Sequence, residues 1–100
     1  MESLTDDATG CYVVTTESGT RYWLDLNRRQ LQRVPSPAFP ARLQLRRDGE
    51  HIDLVEVVRC LLGQPMVLLI NLWVPGVWCT TRESTPVVRI DPVPEGLVRP

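Results

Sequence analysis

Residues 66–78 read M-V-L-L-I-N-L-W-V-P-G-V-W, and the rest of the chain is organised around them. This stretch lies inside the longest uncharged run of the chain, residues 60–81, so it must first be tested as a membrane span. A span needs about 20 residues of unbroken apolar helix. Gly63, Pro65, Pro75 and Gly76 interrupt this run, and its β-branched and aromatic residues favour strands. We therefore predict a β-hairpin here and no membrane segment.

The turn of this hairpin is placed at residues 74–77, because Pro75 presets the first central position and Gly76 accepts the positive φ of the second. With a two-residue loop, Trp73 faces Trp78, and alternation sorts the side chains onto two faces. The predicted core face consists of Met66, Leu68, Ile70, Leu72, Val74, Val77 and Cys79. The opposite face consists of Trp73, Trp78, Val67, Leu69, Asn71, Thr80 and Arg82. A longer loop stays open, because a Pro-Gly turn twists against a tight hairpin.

An earlier hairpin is predicted from residues 11–17 and 20–26, which Ser18-Gly19 separates. A two-residue loop would pair Thr15 with Tyr22. The core face of this hairpin then consists of Cys11, Val13, Thr15, Tyr22, Leu24 and Leu26. A short turn leads from it into a third strand at residues 30–34, with Leu31 inward.

The middle of the chain predicts a proline-rich crossover at residues 35–40 and then a hairpin built from residues 42–47 and 50–55. Three prolines in six residues remove ladder donors, which excludes the crossover from a central sheet. Asp48-Gly49 suits the type I′ turn of the hairpin. In this register Leu43 faces Leu54, and Leu45 faces Ile52.

Residues 53–62 are also compatible with a helix, because Asp53 and Glu56 resemble a capping box and Leu54, Val58 and Leu61 have helical spacing. The strand interpretation is preferred, since the hairpin already uses Leu54 and the valines of this segment favour strands. A last strand is predicted at residues 86–91, with Val88 and Ile90 inward.

These elements predict an all-β fold, a small meander barrel or sandwich of seven to eight short strands, with an α+β fold containing one helix at 53–62 as the alternative. One hundred residues suffice for a single domain. We expect residues 1–10 to be a flexible acidic tail, 11–91 the β domain, and 92–100 an extended proline-rich tail. The predicted common core consists of Leu24, Leu26, Leu43, Leu45, Ile52, Leu54, Leu68, Ile70, Leu72, Val88 and Ile90.

Composition argues against an enzyme and against a metal or cofactor. The chain has one histidine, His51, and its three cysteines are too widely spaced for a structural zinc site. No nucleotide-binding motif occurs, so no cofactor, metal or small-molecule substrate is inferred. An odd number of cysteines and no recognisable signal peptide predict a reducing cytoplasm.

Arginine is unevenly distributed, because residues 27–47 contain six arginines and no acidic residue. These arginines are Arg28, Arg29, Arg33, Arg42, Arg46 and Arg47. Together with Phe39, which would stack on an exposed base, they predict nucleic-acid or anion binding as one function. The alternative is a solvated face whose arginines pair with Asp25, Asp48, Glu50 or the acidic tail.

Two motifs, S-G-T-x-Y-x-x-D-L at residues 18–26 and R-x-S-T-P-V-V-R-I at residues 82–90, resemble short uncharacterised proteins of actinobacteria and their phages. The resemblance covers about 20 residues near both ends of the β region. It implies a compact β-rich domain and carries no activity or functional residue with it.

The leading functional hypothesis is a non-enzymatic protein–protein interaction module, with a protein partner or a second copy of the chain as the binding partner. Its predicted contact surface consists of Trp73, Trp78, Val67, Leu69 and Pro75. Tryptophans are enriched among the residues that dominate interfaces. The alternative for the tryptophan pair is a second small core, covered by the 35–40 segment or by the 92–100 segment.

Overall fold

The computed structural model describes residues 1–34 and 51–94, which form a closed antiparallel β-barrel. Each strand pairs with its neighbours along the chain, and the last strand pairs with the first. The strands are β1 (Cys11–Thr16), β2 (Arg21–Asp25), β3 (Gln30–Val34), β4 (His51–Arg59), β5 (Pro65–Asn71) and β6 (Thr80–Val93). The all-β prediction is confirmed, and within these residues there is no helix that could cross a membrane.

The barrel interior is filled by side chains from all of these strands. The buried apolar side chains of the strands are Val14, Tyr22, Leu24, Leu31, Ile52, Leu54, Val57, Met66, Leu68, Ile70, Val87 and Ile90. Along β5 the burial alternates strictly, with Met66, Leu68 and Ile70 inward, as predicted. Burying each such side chain contributes about 1.5–3 kcal/mol. The predicted core residues Leu43 and Leu45, with the crossover and the hairpin arm at 42–47, lie outside the described residues.

The predicted face of β1 is wrong by one residue. Thr16 N donates to Thr20 O at 3.0 Å and Gly19 N donates to Thr16 O at 2.9 Å, while Gly19 has φ +85°. These bonds define a three-residue loop with glycine in the left-handed position, one residue longer than predicted. Val14 therefore pairs with Tyr22 and is fully buried, whereas Cys11, Val13 and Thr15 lie on the outer side. A shift of one residue moves every side chain of a strand to its other face.

The segment with helical spacing is the strand β4, which confirms the strand interpretation. Its pairing with β5 shifts register after Leu54 and again after Val57. Each shift behaves as a β-bulge, which adds a residue without adding a pair. As a result Leu54, Val57 and Cys60 are all buried at intervals of three residues, a spacing that resembles a helix in sequence.

The strand β6 closes the barrel and replaces two predicted strands. Its first half, up to Pro86, pairs with β5, and its second half, from Val87, pairs with β1. The pairing with β1 skips Val88, which is 52% exposed, while Val87 and Ile90 point inward. The inward prediction for Val88 is therefore wrong and that for Ile90 is correct. With the two halves joined, the described residues contain six strands rather than seven or eight.

The N-terminal segment packs against one end of the barrel, which differs from the predicted flexible tail. Leu4 is 3% exposed and belongs to the main apolar cluster together with Leu26 and Cys60. Leu4 N donates to Cys60 O at 2.9 Å, and Leu62 N donates to Glu2 O at 3.0 Å. Strand directions place this packed end opposite the loop that joins β5 to β6. We call it the closed end.

Candidate functional site

The candidate site is the loop of residues 72–79 between β5 and β6, which we call the tryptophan loop. Its tip is the predicted turn: Val77 N donates to Val74 O at 3.0 Å, and Gly76 has φ +80°. The ladder does not extend to this turn, because the last β5–β6 pair is Ile70 with Thr80 rather than Thr81 as predicted. The prediction that Trp73 pairs with Trp78 across a tight hairpin is therefore wrong, and the longer loop left open is present.

Hydrogen bonds from the backbone N–H and from the indole N–H hold Trp73 in place. Its φ is +57°, a left-handed conformation that is uncommon for a bulky residue. Its backbone N–H donates to Asn71 Oδ1 at 2.7 Å, and its indole Nε1–H donates to Asp53 Oδ2 at 2.7 Å. The second bond joins the loop to β4, because Asp53 belongs to that strand. Asp53 also pairs with Asn71, the last residue of β5, in the β4–β5 ladder. Trp73 is thus oriented and nevertheless 68% exposed.

Trp78 is 84% exposed and shares a shallow depression with Trp73. The depression has a volume of about 500 Å³ and is lined by Asn71, Trp73, Val74, Pro75, Val77 and Trp78. Two tryptophans exposed to this degree place roughly 300 Å² of aromatic surface in water. An apolar surface of that size is comparable with the largest patch on a typical monomer.

The structure brings together only part of the predicted contact surface. Trp73, Trp78 and Pro75 line the depression, but Val67 and Leu69 do not. Both are half-buried on the outer side of β5, where Val67 lies between Arg59 and Glu83 of the neighbouring strands.

The prediction that Val74 and Val77 lie on the core face is wrong. Val77 is 46% exposed and Val74 half-buried, and both line the depression. Both valines lie in the loop beyond Asn71, where β5 ends. The alternation of inward and outward side chains, which the prediction continued through the turn, therefore does not apply to them.

The described arginines of the predicted basic segment do not form one cluster. Arg29 Nη2 donates to Asp6 Oδ1 at 2.6 Å and to Val55 O at 3.0 Å, so this arginine binds the N-terminal segment. Arg28 is exposed in the turn before β3, and Arg33 is half-buried near the other end of that strand. The remaining members of the segment, Phe39, Arg42, Arg46 and Arg47, lie outside the described residues.

Asp6 is the acceptor that engages Arg29. Hydrogen bonds from Arg29 and from the Val57 N–H hold the pKa of Asp6 below its ordinary value. This pairing of an arginine with the acidic tail is the arrangement that the solvated-face alternative described.

Groups suited to catalysis are sparse in the described part of the chain. His51 is exposed at the start of β4, opposite Gln32. Burial raises the pKa of the Cys60 thiol to about 11, which keeps it protonated and poorly nucleophilic near neutral pH. Within residues 1–34 and 51–94, no three His, Cys, Asp or Glu side chains are placed to hold a metal ion.

Comparison with protein-family models, with curated proteins and with solved structures found no match for this chain. The resemblance to short actinobacterial and phage proteins therefore stays a prediction.

Proposed function

We propose that this protein is a small non-enzymatic protein–protein interaction module that contacts its partner through the tryptophan loop. The observation that carries the proposal is the exposure of Trp73 and Trp78, 68% and 84%, both of which line one apolar depression. Leaving this surface in water is unfavourable by about 25 cal/mol for each Å² of apolar area. A partner that covers the depression recovers this free energy.

The loop is also suited to binding because part of it is already ordered. Trp73 is oriented by its bonds to Asn71 and Asp53, and the turn at Pro75-Gly76 restricts the backbone at the tip. Side chains that are ordered before association lose less conformational entropy on binding. Buried tryptophans at the centre of an interface often account for most of its affinity.

The experiment compares the natural chain with the double substitution Trp73→Ser and Trp78→Ser. Each chain is used as bait in an extract of the source cell, with retained proteins identified by mass spectrometry, and its self-association is measured by sedimentation. We expect the double variant to lose the specific partner or the part of its self-association that depends on the tryptophan loop. Its thermal midpoint should stay within a few degrees of that of the natural chain, as for other surface substitutions.

Val88→Ser is the matched control, because Val88 is 52% exposed on β6 in the half that pairs with β1. This variant should retain both the partner and the fold. If the double tryptophan variant unfolds, the tryptophans are structural and the proposal fails. It fails equally if the folded double variant keeps the same partners and the same assembly state as the natural chain.

Nucleic-acid binding through the arginine-rich segment is the second proposal that the sequence raises. Among its described members, Arg29 is already bonded to Asp6 and Val55, which argues against its use for phosphate contacts. The tryptophan loop is therefore the preferred site.

A further inference from the structure

The N-terminal segment is bound to the closed end in the way that a separate peptide would be. Residues 2–4 run antiparallel to residues 60–62, with the bridge Ser3–Leu61 between two main-chain hydrogen bonds. The bonds are Leu4 N to Cys60 O and Leu62 N to Glu2 O. Addition of an extended segment to an existing ladder is a common mode of peptide recognition, in which side-chain pockets supply the specificity.

Two side chains of the segment supply that specificity here. Leu4 enters the apolar cluster, where it is 3% exposed. Two residues further on, Asp6 Oδ1 accepts hydrogen bonds from Arg29 Nη2 at 2.6 Å and from Val57 N at 2.8 Å. The closed end therefore holds the pattern Leu-x-Asp, with Leu4 of the extended part in an apolar slot and Asp6 of the following turn at a cationic site.

The connection between this segment and the barrel is short and separately held. Gly10 N donates to Asn27 Oδ1 at 3.1 Å, and Leu26 N donates to Gly10 O at 2.9 Å, so Gly10 is fixed to the barrel itself. A turn from Thr5 to Ala8, in which Ala8 N donates to Thr5 O at 3.1 Å, contains Asp6 and folds the segment back onto its own barrel ahead of Gly10. Opening this turn would release the segment while leaving the bonds of Gly10 in place.

Exposed apolar side chains surround the bound segment. Met1 is 53% exposed, Val58 is 49% exposed, and Leu61 and Leu62 are each 40% exposed. Val58 and Leu61 line a depression of about 320 Å³ together with Leu4 and Cys60. This surface lies at the opposite end of the barrel from the tryptophan loop, so the proposed interaction function does not account for it.

We propose that two copies of this chain associate through their closed ends and exchange residues 2–6. Leu4 of each copy fills the slot of the other, and Asp6 of each copy binds Arg29 of the other. Residues 7–9 span at most about 10 Å when extended, so reciprocal exchange requires the two closed ends to face each other. That arrangement is a two-fold symmetric interface that also buries Val58, Leu61 and Leu62. Exchange reuses contacts that the single chain already makes, which makes it a low-cost route to a dimer.

The test is a disulfide between two differently labelled copies. Every test chain carries Trp73→Ser and Trp78→Ser, so that the tryptophan loop contributes nothing, and its native cysteines are replaced by Cys11→Ser, Cys60→Ala and Cys79→Ser. One chain adds Ser3→Cys and the other adds Leu61→Cys. Side chains that face each other in an antiparallel pair have Cβ atoms about 4.5–5.5 Å apart, close enough for a disulfide after a small adjustment.

We expect the mixture to form the mixed disulfide dimer in a yield several-fold above that of a control in which Val88→Cys replaces Leu61→Cys. Adding Leu4→Asp to the Ser3→Cys chain should lower the yield to the control level, because a carboxylate does not enter the apolar slot. Circular dichroism checks that each chain is folded. Sedimentation equilibrium of the chain with only the two tryptophan substitutions should show the mass of a dimer as concentration rises. The proposal is overturned if the chain is a monomer at every concentration, or if the three mixtures give equal yields of the mixed dimer. Neither result would bear on the tryptophan loop, because every test chain lacks both tryptophans.

Discussion

Replacing Leu4 by alanine measures how the N-terminal segment is attached to the barrel. The substitution removes three carbons from a side chain that is 3% exposed. At about 0.8 kcal/mol for each buried carbon, the lost transfer free energy is roughly 2.4 kcal/mol. Because a few hydrogen bonds hold the segment, it can move into the vacated space or detach, so we expect little additional cost from a cavity. The expected loss in the free energy of unfolding is about 2 kcal/mol.

Leu68→Ala is the matched comparison, since it removes the same atoms from the centre of β5. Leu68 is fully buried and its strand is paired on both sides, with Val57 in β4 and Arg82 in β6. The surrounding backbone cannot collapse around the missing atoms, so a cavity term adds to the transfer term. We expect a loss of about 4 kcal/mol, near the upper part of the range for such substitutions.

Equilibrium unfolding in urea, followed by circular dichroism, gives both losses on the same scale. A loss below about 0.5 kcal/mol for Leu4→Ala would mean that the segment is a free tail, as the sequence predicted. Losses of equal size for the two substitutions would mean that the segment cannot leave the barrel without global unfolding. That result would contradict the separate attachment of the segment and, with it, the exchange of residues 2–6.

Lowering the pH from about 6 to about 3 should reduce the thermal midpoint of the natural chain more than that of Asp6→Asn, as measured by circular dichroism. The bonds from Arg29 and Val57 lower the folded-state pKa of Asp6 below its ordinary value of 3.8, so their stabilisation is present above that value and disappears as the pH falls through the folded-state pKa. Equal pH dependence in the two chains would contradict this role. A thiol reagent near neutral pH should label half-buried Cys79 before Cys60, because burial raises the Cys60 pKa to about 11. Mass spectrometry of the labelled peptides measures the order of labelling. Simultaneous labelling of the two cysteines in the folded chain would contradict the prediction. If the arginine-rich segment binds DNA or RNA, the affinity should fall steeply with salt, and the absence of any mobility shift at low salt would exclude that function.

Several features of the barrel are predictable because they depend on neighbouring residues alone. Strict alternation in β5 placed Met66, Leu68 and Ile70 inward, since a strand with one buried face has a period of two. Pro75-Gly76 predicted its turn because both residues restrict or permit the required backbone angles locally. The same local signals were enough to predict the all-β class.

Other features depend on contacts that no local pattern contains. One additional residue in the first loop reversed the face of β1, and bulges in β4 produced an apolar spacing that resembles a helix. Arg29 was predicted within a basic segment, yet its partners Asp6 and Val55 lie more than 20 residues away on either side. Which charges pair is decided by the closure of the barrel.

The amino-acid sequence is enough to predict the all-β class, the main core side chains of β2 and β5, and the position of the turn in the tryptophan loop. Two features follow from the folded barrel instead: Trp73 and Trp78 leave the ladder and line one depression with Val77, and Leu4 joins the core. These features depend on the fold because apolar residues lose their contact with water through partners that are distant in the chain. Composition and spacing specify that Leu4 is apolar, but the space it fills exists only after the strands have closed around it.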